Sequence, residues 1–577
     1  MTVINNQDAF FVSVNFMKAF DNVDHGYIEK VLRRMKLPNI FVRAFMSMYK
    51  KAASKLVING FRSKKIYIKS GIRQGDPSSQ DVFDIGANPL LEFLNKCKEI
   101  QKYDTISNKK FLTLAYVDDA YLILRRLMSL VVALHKIDLF REVSGFTLNL
   151  SKTKGVFYNK QNIVHQNALP NIEWVRNVEV LGVNFGSLEW VQEQWKSKLQ
   201  ICKNEVKFFK SRSPTLDAKA MLSKFKLGSL FTYIGQVFNI PPTFEDKIND
   251  MLLRFIIPHR RTILSVQDLS MPRKFGGYGI SNIVLHVNLC LLKPIMAYMQ
   301  ERVVENNLSD LSYFVEYNLG QKLSSLYNLP RLNRTPHRFE TNECYQSMYE
   351  TIVKYSITSE ELVEGKIGKI YHRVLCDFGM RKNSQSQFHR LHKKIFPSYL
   401  KTFNYKVCFD LLPVKNKFYQ FCLDSEVKIT CPFCNIPIES AFHLFAKCLK
   451  LIKVWEILDE TIVVCFRGRC KYNFQHDRFQ MCHFSFVDSK IPKQYENLIL
   501  YMNSVVNHNI WKTRNEIVHE DKIFAVDHLI NKIIASLRSR ISIEKAEARL
   551  TECKKVPFLQ DFFVTLCSIK DATYDPG

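Results

Sequence analysis

The sequence predicts an α/β region at the N-terminus, mainly helical regions after it, and a small Cys/His module near the C-terminal end. Strand-type and helix-type hydrophobic patterns alternate over the first 190 of the 577 residues. Beyond residue 190 the strand pattern gives way to long, basic helical patterns. Three cysteines and one histidine then lie close together between Cys431 and Cys448.

The elements of the first region follow one another in a regular order. Asp24 is a favourable N-cap for a helix with apolar residues at helical spacing, and Pro38 stops that helix. Asn59-Gly60 lies between two short apolar strands, but residues 61–65 make this connection longer than a two-residue hairpin turn. The predicted strands are 10–15, 56–58, 66–68, 111–116, 120–124, 155–158 and 178–185. The predicted helices are 27–35, 40–51, 79–98 and 127–142.

A length of 577 residues agrees with roughly three to five domains. We predict an α/β region at 1–190, a helical region at 191–330, a basic helical linker at 331–425, a metal-binding module at 426–460 and a helical C-terminal region at 461–577.

The amino-acid composition limits the classes of protein to which this chain can belong. Apolar residues make up 46% of the chain and charged residues 24%, which excludes wholesale disorder. Lys and Arg number 82 against 55 Asp and Glu, and the net charge of +27 indicates a polyanionic partner, most simply nucleic acid. A membrane surface and an ordinary basic soluble protein are the alternatives.

Cysteine content and hydropathy predict an intracellular protein with reduced thiols. Fifteen cysteines are too sparse for a disulfide scaffold, and the polar first eight residues do not predict a signal peptide. The longest uncharged stretch, 227–244, is interrupted by polar residues and prolines, so we expect no membrane partner.

Two adjacent carboxylates occur in Tyr116-Val117-Asp118-Asp119, at the bend between two predicted strands. Like charges this close repel each other unless a cation is bound, and carboxylate oxygens are the ligands that Mg²⁺ prefers. One interpretation is therefore a metal site of the kind used in phosphoryl transfer. The alternative is a solvated hairpin turn, because turns also favour Asp.

Three further motifs accompany the aspartate pair, namely Lys18-Ala19-Phe20-Asp21-Asn22-Val23-Asp24-His25, Gly71-Ile72-Arg73-Gln74-Gly75-Asp76-Pro77 and Gly145-Phe146-Thr147-Leu148-Asn149-Leu150-Ser151-Lys152-Thr153-Lys154. Their order and spacing resemble the palm of reverse transcriptases from LINE-type (non-LTR) retrotransposons, over about residues 10–160. Leu181-Gly182-Val183-Asn184-Phe185 resembles the primer-grip hairpin of that family. The resemblance implies a partial right-hand polymerase, with an α/β palm followed by a helical thumb.

The resemblance also implies roles for single residues. Asp118 and Asp119 match the pair that binds Mg²⁺, with Mn²⁺ as an alternative ion. Phe20 matches the aromatic residue that screens the sugar 2′ position, and Lys152 matches the lysine that protonates pyrophosphate. The implied substrate-binding residues are Phe20, Arg73, Gln74, Gly75 and Tyr116. Taken singly, Phe20 could be a core residue, Arg73 a surface charge and Lys152 a solvated end.

The chain departs from the family pattern in two places. Five residues before Phe20 the family carries a catalytic aspartate, and here that position is Asn15. Asparagine is a poor Mg²⁺ ligand, and Asp21 lies six residues further on, up to ~20 Å along an extended strand. The first motif also begins almost at Met1 and leaves no room for the fingers subdomain, which predicts either a truncated element copy or an incomplete gene model.

The Cys/His cluster has the spacing C-x₂-C-x₈-H-x₄-C, formed by Cys431, Cys434, His443 and Cys448. Three thiolates and an imidazole suit tetrahedral Zn²⁺, and unrelated buried thiols are the alternative. The five-residue offset from His443 to Cys448 exceeds one helical turn, so we expect the helix to loosen there. The segment also resembles the zinc-binding segment that follows LINE reverse transcriptases, whose role is nucleic-acid engagement.

The resemblance implies RNA-directed DNA polymerisation primed on a nicked chromosomal target. The implied partners are an RNA template, a DNA primer or target, and deoxynucleotide triphosphates, in the nucleus and cytoplasm. Asn15 and the missing fingers predict that this copy is inactive and that Asn15→Asp alone does not restore synthesis. The alternatives are a catalytically dead nucleic-acid-binding protein and a zinc-dependent interaction protein. Arg260-Arg261 and Lys393-Lys394 are candidate phosphate contacts, or simply solvated charges.

Overall fold

A computed structural model of the chain falls into two compact units. One unit contains Met1–Ser197 and Leu292–Gly365, and the other contains Lys198–Leu291 and Lys366–Gly577. Each unit thus joins two separate stretches of sequence, and the five-part division predicted above stays a prediction. The structure describes residues 9–50, 52–73, 75–104, 110–116, 119–158, 169, 172–257, 264–304, 309–329, 343–382, 388–393, 395–417, 429–436, 438–465 and 493–551.

A five-stranded sheet forms the centre of the first unit. The strands of the unit are β1 Ala9–Asn15, β2 Ala53–Ser54, β3 Val57–Ile58, β4 Phe61–Arg62, β5 Ile66–Tyr67, β6 Tyr103–Asp104, β7 Lys110–Phe111, β8 Thr113–Tyr116, β9 Asp119–Leu124, β10 Lys154–Tyr158, β11 Glu173–Trp174, β12 Val178–Val180 and β13 Val183–Phe185. The strand order of the five-stranded sheet is β11-β10-β1-β9-β8. The central strand β1 pairs antiparallel with β10 and β9, β9 pairs antiparallel with β8, and β10 pairs parallel with β11.

Helices pack against this sheet and complete the core. Phe10, Val12 and Val14 alternate along β1 and are buried in the same hydrophobic cluster as Phe83 and Ile137 of two long helices. The helices of the unit are Ala19–Asn22, His25–Arg34, Asn39–Ser47, Ser79–Lys96, Leu127–Ser144, Lys293–Val304, Asp310–Tyr327, Glu343–Lys354 and Ser359–Glu364, with a 3₁₀ turn at Leu150–Lys152.

The four helices predicted in this region are confirmed to within a few residues. The Asp24 carboxylate accepts a hydrogen bond from the Tyr27 backbone amide (2.7 Å), so it caps the helix His25–Arg34 as predicted. Pro38 immediately precedes the next helix, Asn39–Ser47, and fixes its start.

The connection at Asn59-Gly60 differs from its prediction. Asn59 (φ 51°) and Gly60 (φ 85°) form a two-residue turn, and Ile58 pairs directly with Phe61. The ribbon continues through β2 and β5, where Ser54 pairs with Ile66. The register changes by one residue between these pairs, which is a bulge in the second strand. The prediction treated 61–65 as loop because it did not allow for that bulge.

The second unit is helical. Its helices are Leu216–Leu222, Ser229–Thr232, Pro242–Ile256, Val266–Ser270, Ile283–Cys290, Ile367–Lys382, Phe388–Leu391, Ser398–Cys408, Ile452–Cys465, Lys493–Glu520 and Val526–Thr551. Shorter turns are 3₁₀ at Ile234–Gln236, Arg273–Phe275, Lys415–Lys417 and Leu449–Leu451, and π-type at Ser223–Leu227 and His443–Lys447. The helix Leu188–Lys210 contains residues of both units.

No single described helix is long and apolar enough to cross a bilayer. One bent pair, Ile283–Cys290 with Lys293–Val303, meets the length and composition criteria jointly.

Candidate active site and metal centre

The end of β1 lies directly beside the start of β9. Asn15 is the cross-strand partner of Asp119, and Asp119 in turn is the partner of Tyr116 in β8. The Asn15 carbonyl accepts a hydrogen bond from the Asn149 amide (2.7 Å), which fixes this end of the strand from its other side. The structure therefore brings three of the predicted site residues together, while Asp118 lies outside the described residues.

This pair offers a metal one carboxylate and one neutral amide. In a two-metal site, carboxylates neutralise the ions and hold both at short distance. Asn15 supplies an amide where the family pattern has an aspartate, and Asp21 does not replace it, because it lies in the helix Ala19–Asn22 beyond the end of β1. The described donor set at this position therefore does not fit two Mg²⁺ ions.

Phe20 is half-buried and contacts the core. Its ring stacks on Phe83 with ring centroids 4.6 Å apart. Its backbone carbonyl accepts a hydrogen bond from the Ile72 amide (2.6 Å), which ties the first motif to the loop that carries Arg73. The core interpretation of Phe20 thus holds for one face of the ring, and the screening role stays a prediction.

Arg73 is anchored although it is exposed. Its guanidinium donates to the Met48 carbonyl and lies over the Tyr49 ring, 5.8 Å from the centroid. Gly71 has φ 91°, and a Cβ there would lie 2.6 Å from the Asp21 carbonyl oxygen, so the close approach of the two motifs requires glycine. Gly75 has φ 88° and open space around it, and Gln74 lies outside the described residues.

Asp76 fixes the end of the same loop. Its carboxylate accepts hydrogen bonds from the Ser78 amide (3.0 Å) and hydroxyl (2.7 Å), and these bonds lower the pKa of Asp76. The helix Ser79–Lys96 starts immediately after this turn.

The fourth motif packs against the first. The Asp24 amide donates to the Ser144 carbonyl (2.9 Å), and Gly145 (φ 81°) would place a Cβ only 2.1 Å from the Asn22 carbonyl oxygen. Lys152 is exposed at the end of the 3₁₀ turn that follows Asn149. Lys152 is therefore close in sequence to the backbone that holds Asn15, and its proton-donor role stays a prediction.

The hairpin of β12 and β13 docks onto β9 through contacts that the sequence did not predict. Leu181 (φ 49°) and Gly182 (φ 76°) form its turn. The Leu181 amide donates to the Tyr121 hydroxyl (3.3 Å), and the Gln194 side chain donates to the Gly182 carbonyl (3.0 Å). Tyr121 lies two residues after Asp119, so this hairpin is held beside the candidate active site.

The predicted zinc ligands converge in the second unit. The ligand atoms of Cys431, Cys434, His443 and Cys448 all lie within 4.8 Å of one another. The Cys431 and Cys448 sulfurs are 4.0 Å apart, and the Cys434 sulfur is 3.2 Å from His443 Nε2. A tetrahedron with Zn–S bonds of ~2.3 Å has ligand atoms ~3.8 Å apart, so this donor set fits Zn²⁺.

Local backbone geometry explains how these ligands meet. The Asn435 amide donates to the Cys431 carbonyl (2.9 Å), and Asn435 has φ 60°, which reverses the chain after the second cysteine. A π-turn at His443–Lys447 then widens the helix before Cys448. Because a π-helix bonds residues five apart, it places His443 and Cys448 on one face, and the predicted loosening is confirmed. The hydrogen bond from Cys448 lowers the pKa of the Cys431 thiol.

A buried ion pair connects this cluster to the long helix Lys493–Glu520. Glu439 is fully buried between the second and third ligands, and both of its oxygens accept hydrogen bonds from Arg514 (2.7 and 2.8 Å). One oxygen also accepts from the Lys415 amide (2.8 Å). In the sequence, Glu439 stands out only as a charged residue inside an apolar stretch. Nothing in the sequence identifies Arg514 as its partner.

Comparison with known proteins agrees with this geometry. Residues 2–185 match the family described as reverse transcriptase (RNA-dependent DNA polymerase). This part of the chain is therefore similar to reverse transcriptases. The sheet with Asn15 beside Asp119 lies within the matched residues, and the match implies a polymerase palm fold for it.

Similar curated proteins are named as proteins of transposable elements. The chain is 26% identical over 303 residues to the transposon TX1 uncharacterized 149 kDa protein of Xenopus laevis, covering 50% of this chain and 22% of that protein. It is 30% identical over 145 residues to a Pol polyprotein from type-1 retrotransposable element R2 of Popillia japonica, covering 25% and 24%. For the type-2 element R2DM of Drosophila melanogaster the identity is 26% over 191 residues, covering 31% and 18%. The chain thus matches a quarter or less of each relative's length.

Proposed function

We propose that this chain is a reverse transcriptase palm that still engages nucleic acid but has lost most of its capacity for DNA synthesis. The observation that carries the proposal is the cross-strand pair of Asn15 and Asp119. Replacing a metal-bridging carboxylate by an amide removes several kcal/mol of charge stabilisation, at ~1.36 kcal/mol per tenfold in rate. The expected deficit is therefore several decades of rate.

Primer extension tests the catalytic part. The full chain is incubated with a DNA primer on an RNA template, deoxynucleotide triphosphates and either Mg²⁺ or Mn²⁺, beside an Asp119→Ala variant. We expect no difference between the two proteins above background. Robust incorporation by the unchanged chain that Asp119→Ala abolishes would contradict the proposal.

Nucleic-acid binding is the retained function, and the net charge of +27 supports it. An RNA template and a DNA primer or target are the proposed partners. The logarithm of the binding constant should fall linearly with log[salt], with a slope of about −0.7 to −0.9 per phosphate contacted. A flat salt response would leave the excess positive charge without this role. Of the basic pairs singled out in the sequence, Lys393 forms an ion pair with Glu496 (3.2 Å), which neutralises its charge. Arg260, Arg261 and Lys394 lie outside the described residues.

The remaining parts of the family architecture belong to the same proposal. The helix Leu188–Lys210, which follows the β12–β13 hairpin, is the proposed start of a thumb. The protein is proposed to be intracellular, where thiols stay reduced and can bind metal.

We also propose that Cys431, Cys434, His443 and Cys448 hold one structural Zn²⁺. Their convergence within 4.8 Å supports this, and the bound metal would supply folding energy to the segment around them. Metal analysis of the full chain should find stoichiometric zinc, which His443→Ala should reduce. His519→Ala, an exposed histidine of the same unit, is the matched control. Absence of stoichiometric zinc from the unchanged protein would reject the site.

A further inference from the structure

The ribbon formed by β2, β3, β4 and β5 exposes an unusual set of side chains. Nearly every described residue from 53 to 69 is exposed, and Ser63 is the partly buried exception. At the tip Ile58 is 67% exposed and Phe61 82% exposed, and nearer the base Tyr67 is 61% exposed. Exposed apolar and aromatic residues clustered in this way mark an interaction surface.

The charge of the ribbon is entirely of one sign. Residues 53–69 contain no Asp or Glu. Their basic residues are Lys55, Arg62, Lys64, Lys65 and Lys69. All of these basic side chains are exposed, and none of them makes an ion pair in the part of the chain that the structure describes. An unneutralised basic ribbon is complementary to a polyanion rather than to an ordinary protein surface.

Strand pairing sorts these side chains onto the two faces of the ribbon. Directly paired residues in an antiparallel ladder point to the same face. Ile58 and Phe61 therefore share one face at the tip, while Val57 and Arg62 share the other. The tip thus presents an aromatic ring on one face and a guanidinium on the other.

The base of the ribbon is fixed beside the polymerase motifs. The Ile68 amide donates to the Ala52 carbonyl (2.9 Å), and the Gly71 amide donates to the Val23 carbonyl (2.8 Å). Ser70 forms a β-bridge with Asp24, the cap of the helix that follows the first motif. Because the chain then runs directly into Arg73, a strand bound along the ribbon is led to the candidate active site.

We propose that this ribbon is a binding surface for single-stranded nucleic acid, with its basic side chains on the phosphates and Phe61 at the tip stacked on an unpaired base. Interleaved basic and aromatic residues are what single-strand binding requires, since every base offers a face for stacking. The inference rests on the proposed nucleic-acid function and names one surface that performs it.

Binding of a fluorescein-labelled single-stranded oligonucleotide to the full chain, followed by anisotropy over a salt series, tests this proposal. Lys64→Glu/Lys65→Glu should weaken binding about tenfold or more and reduce the salt slope by about 1.4, because two phosphates are no longer neutralised. Phe61→Ser should weaken binding about five- to a hundredfold, because a base can no longer stack there, and should leave the salt slope unchanged. Since these side chains are exposed, the melting temperature should stay that of the unchanged protein.

Lys30→Glu/Lys98→Glu is the matched control, because it makes the same charge change at two exposed positions of the same unit. We expect it to alter affinity less than twofold. An equal loss in this control, or unchanged binding by both ribbon variants, would overturn the proposal while leaving the wider function standing. Ribbon variants that change self-association but not affinity would assign the ribbon to a protein contact and also overturn it. If the unchanged chain binds no oligonucleotide at any salt concentration, the proposed function itself fails.

Discussion

We expect Asn15 to limit the affinity of the candidate active site for divalent cations. Asn15→Asp would place a carboxylate directly opposite that of Asp119 on the neighbouring strand. A bound cation would relieve the repulsion between the two carboxylates. We expect Mn²⁺ affinity, measured by electron paramagnetic resonance of the free ion, to rise about tenfold, the equivalent of ~1.4 kcal/mol.

Two comparisons keep this metal-affinity prediction specific. Asn39→Asp makes the same amide-to-carboxylate change at an exposed helix start and should leave Mn²⁺ affinity unchanged. Adding Asp119→Asn to the Asn15→Asp protein should reverse the gain. A gain that survives this second substitution would mean that the ion binds elsewhere.

Substitutions at Gly145 and Gly60 distinguish the energetic cost of a positive φ from the cost of a steric clash. Both have positive φ, 81° and 85°, but a Cβ at Gly145 would lie 2.1 Å from the Asn22 carbonyl oxygen, whereas Gly60 has nothing within 4 Å. Gly60→Ala should cost about 1 kcal/mol of unfolding free energy, from conformation alone. Gly145→Ala should cost at least about 2 kcal/mol more, because the first and fourth motifs must separate. Equal losses in urea unfolding would contradict the close contact.

Some residues of the candidate active site could be predicted from the sequence and others could not. The motif spacing predicted that Asn15 occupies the metal-binding position, and the structure places it opposite Asp119. The hydrogen bond from Leu181 to Tyr121 could not be predicted, because it joins a backbone amide to a side chain sixty residues away. Tyr121 has an apolar strand pattern around it, which says nothing about the partner of its hydroxyl.

At the scale of elements, the sequence predicted those helix boundaries and turns that neighbouring residues determine. The Asp24 cap and Pro38 set helix boundaries, and the offset between His443 and Cys448 predicted the loosened turn that the structure shows as a π-turn. The Asn59-Gly60 ribbon was misjudged because a bulge has no sequence signature of its own.

The buried ion pair between Glu439 and Arg514 is expected to stabilise the Cys/His segment. Glu439→Gln keeps the shape of the side chain but leaves the buried Arg514 without a counter-charge, which should cost about 3–5 kcal/mol. Glu92→Gln is the matched control, since Glu92 pairs with Lys96 (2.8 Å) on the surface and should cost at most about 1 kcal/mol. Urea unfolding of the three proteins provides the measurement, and similar losses at both sites would show that the Glu439 pair is not buried in solution.

At the scale of the whole molecule, the sequence could not reveal that each compact unit is built from two separated stretches. Leu292–Gly365 groups with the palm, although its helical pattern is like that of the segments on either side. Hydrophobic periodicity reports that a face is buried, and does not report which partner covers it. The strongly basic balance of the chain, by contrast, is a global property that composition gives directly.

That balance makes the protein sensitive to acid. At a net charge of +27, each added proton increases self-repulsion, and two half-buried histidines of the helical unit resist protonation. Burial, followed by the nearby Arg273, lowers the pKa of His392 to about 4, and burial beside Lys512 lowers that of His508 to about 4. An unfolded histidine titrates near pH 6.5, so the unfolded chain binds more protons between pH 6.5 and 4, and stability must fall as pH falls through this window.

We therefore expect the melting temperature of the helical unit to drop between pH 7 and pH 5, by an amount that His392→Phe/His508→Phe reduces. Each histidine contributes at most about 3 kcal/mol over the full window, and less down to pH 5, because protonation of the unfolded chain is incomplete there. His519→Gln, at an exposed position of the same unit, should retain the full drop. If the double variant is as acid-sensitive as the unchanged protein, the loss of stability comes from general charge repulsion instead. High salt should then abolish the drop in melting temperature. Salt screens repulsion between surface charges far more than it reduces the cost of protonating a half-buried ring.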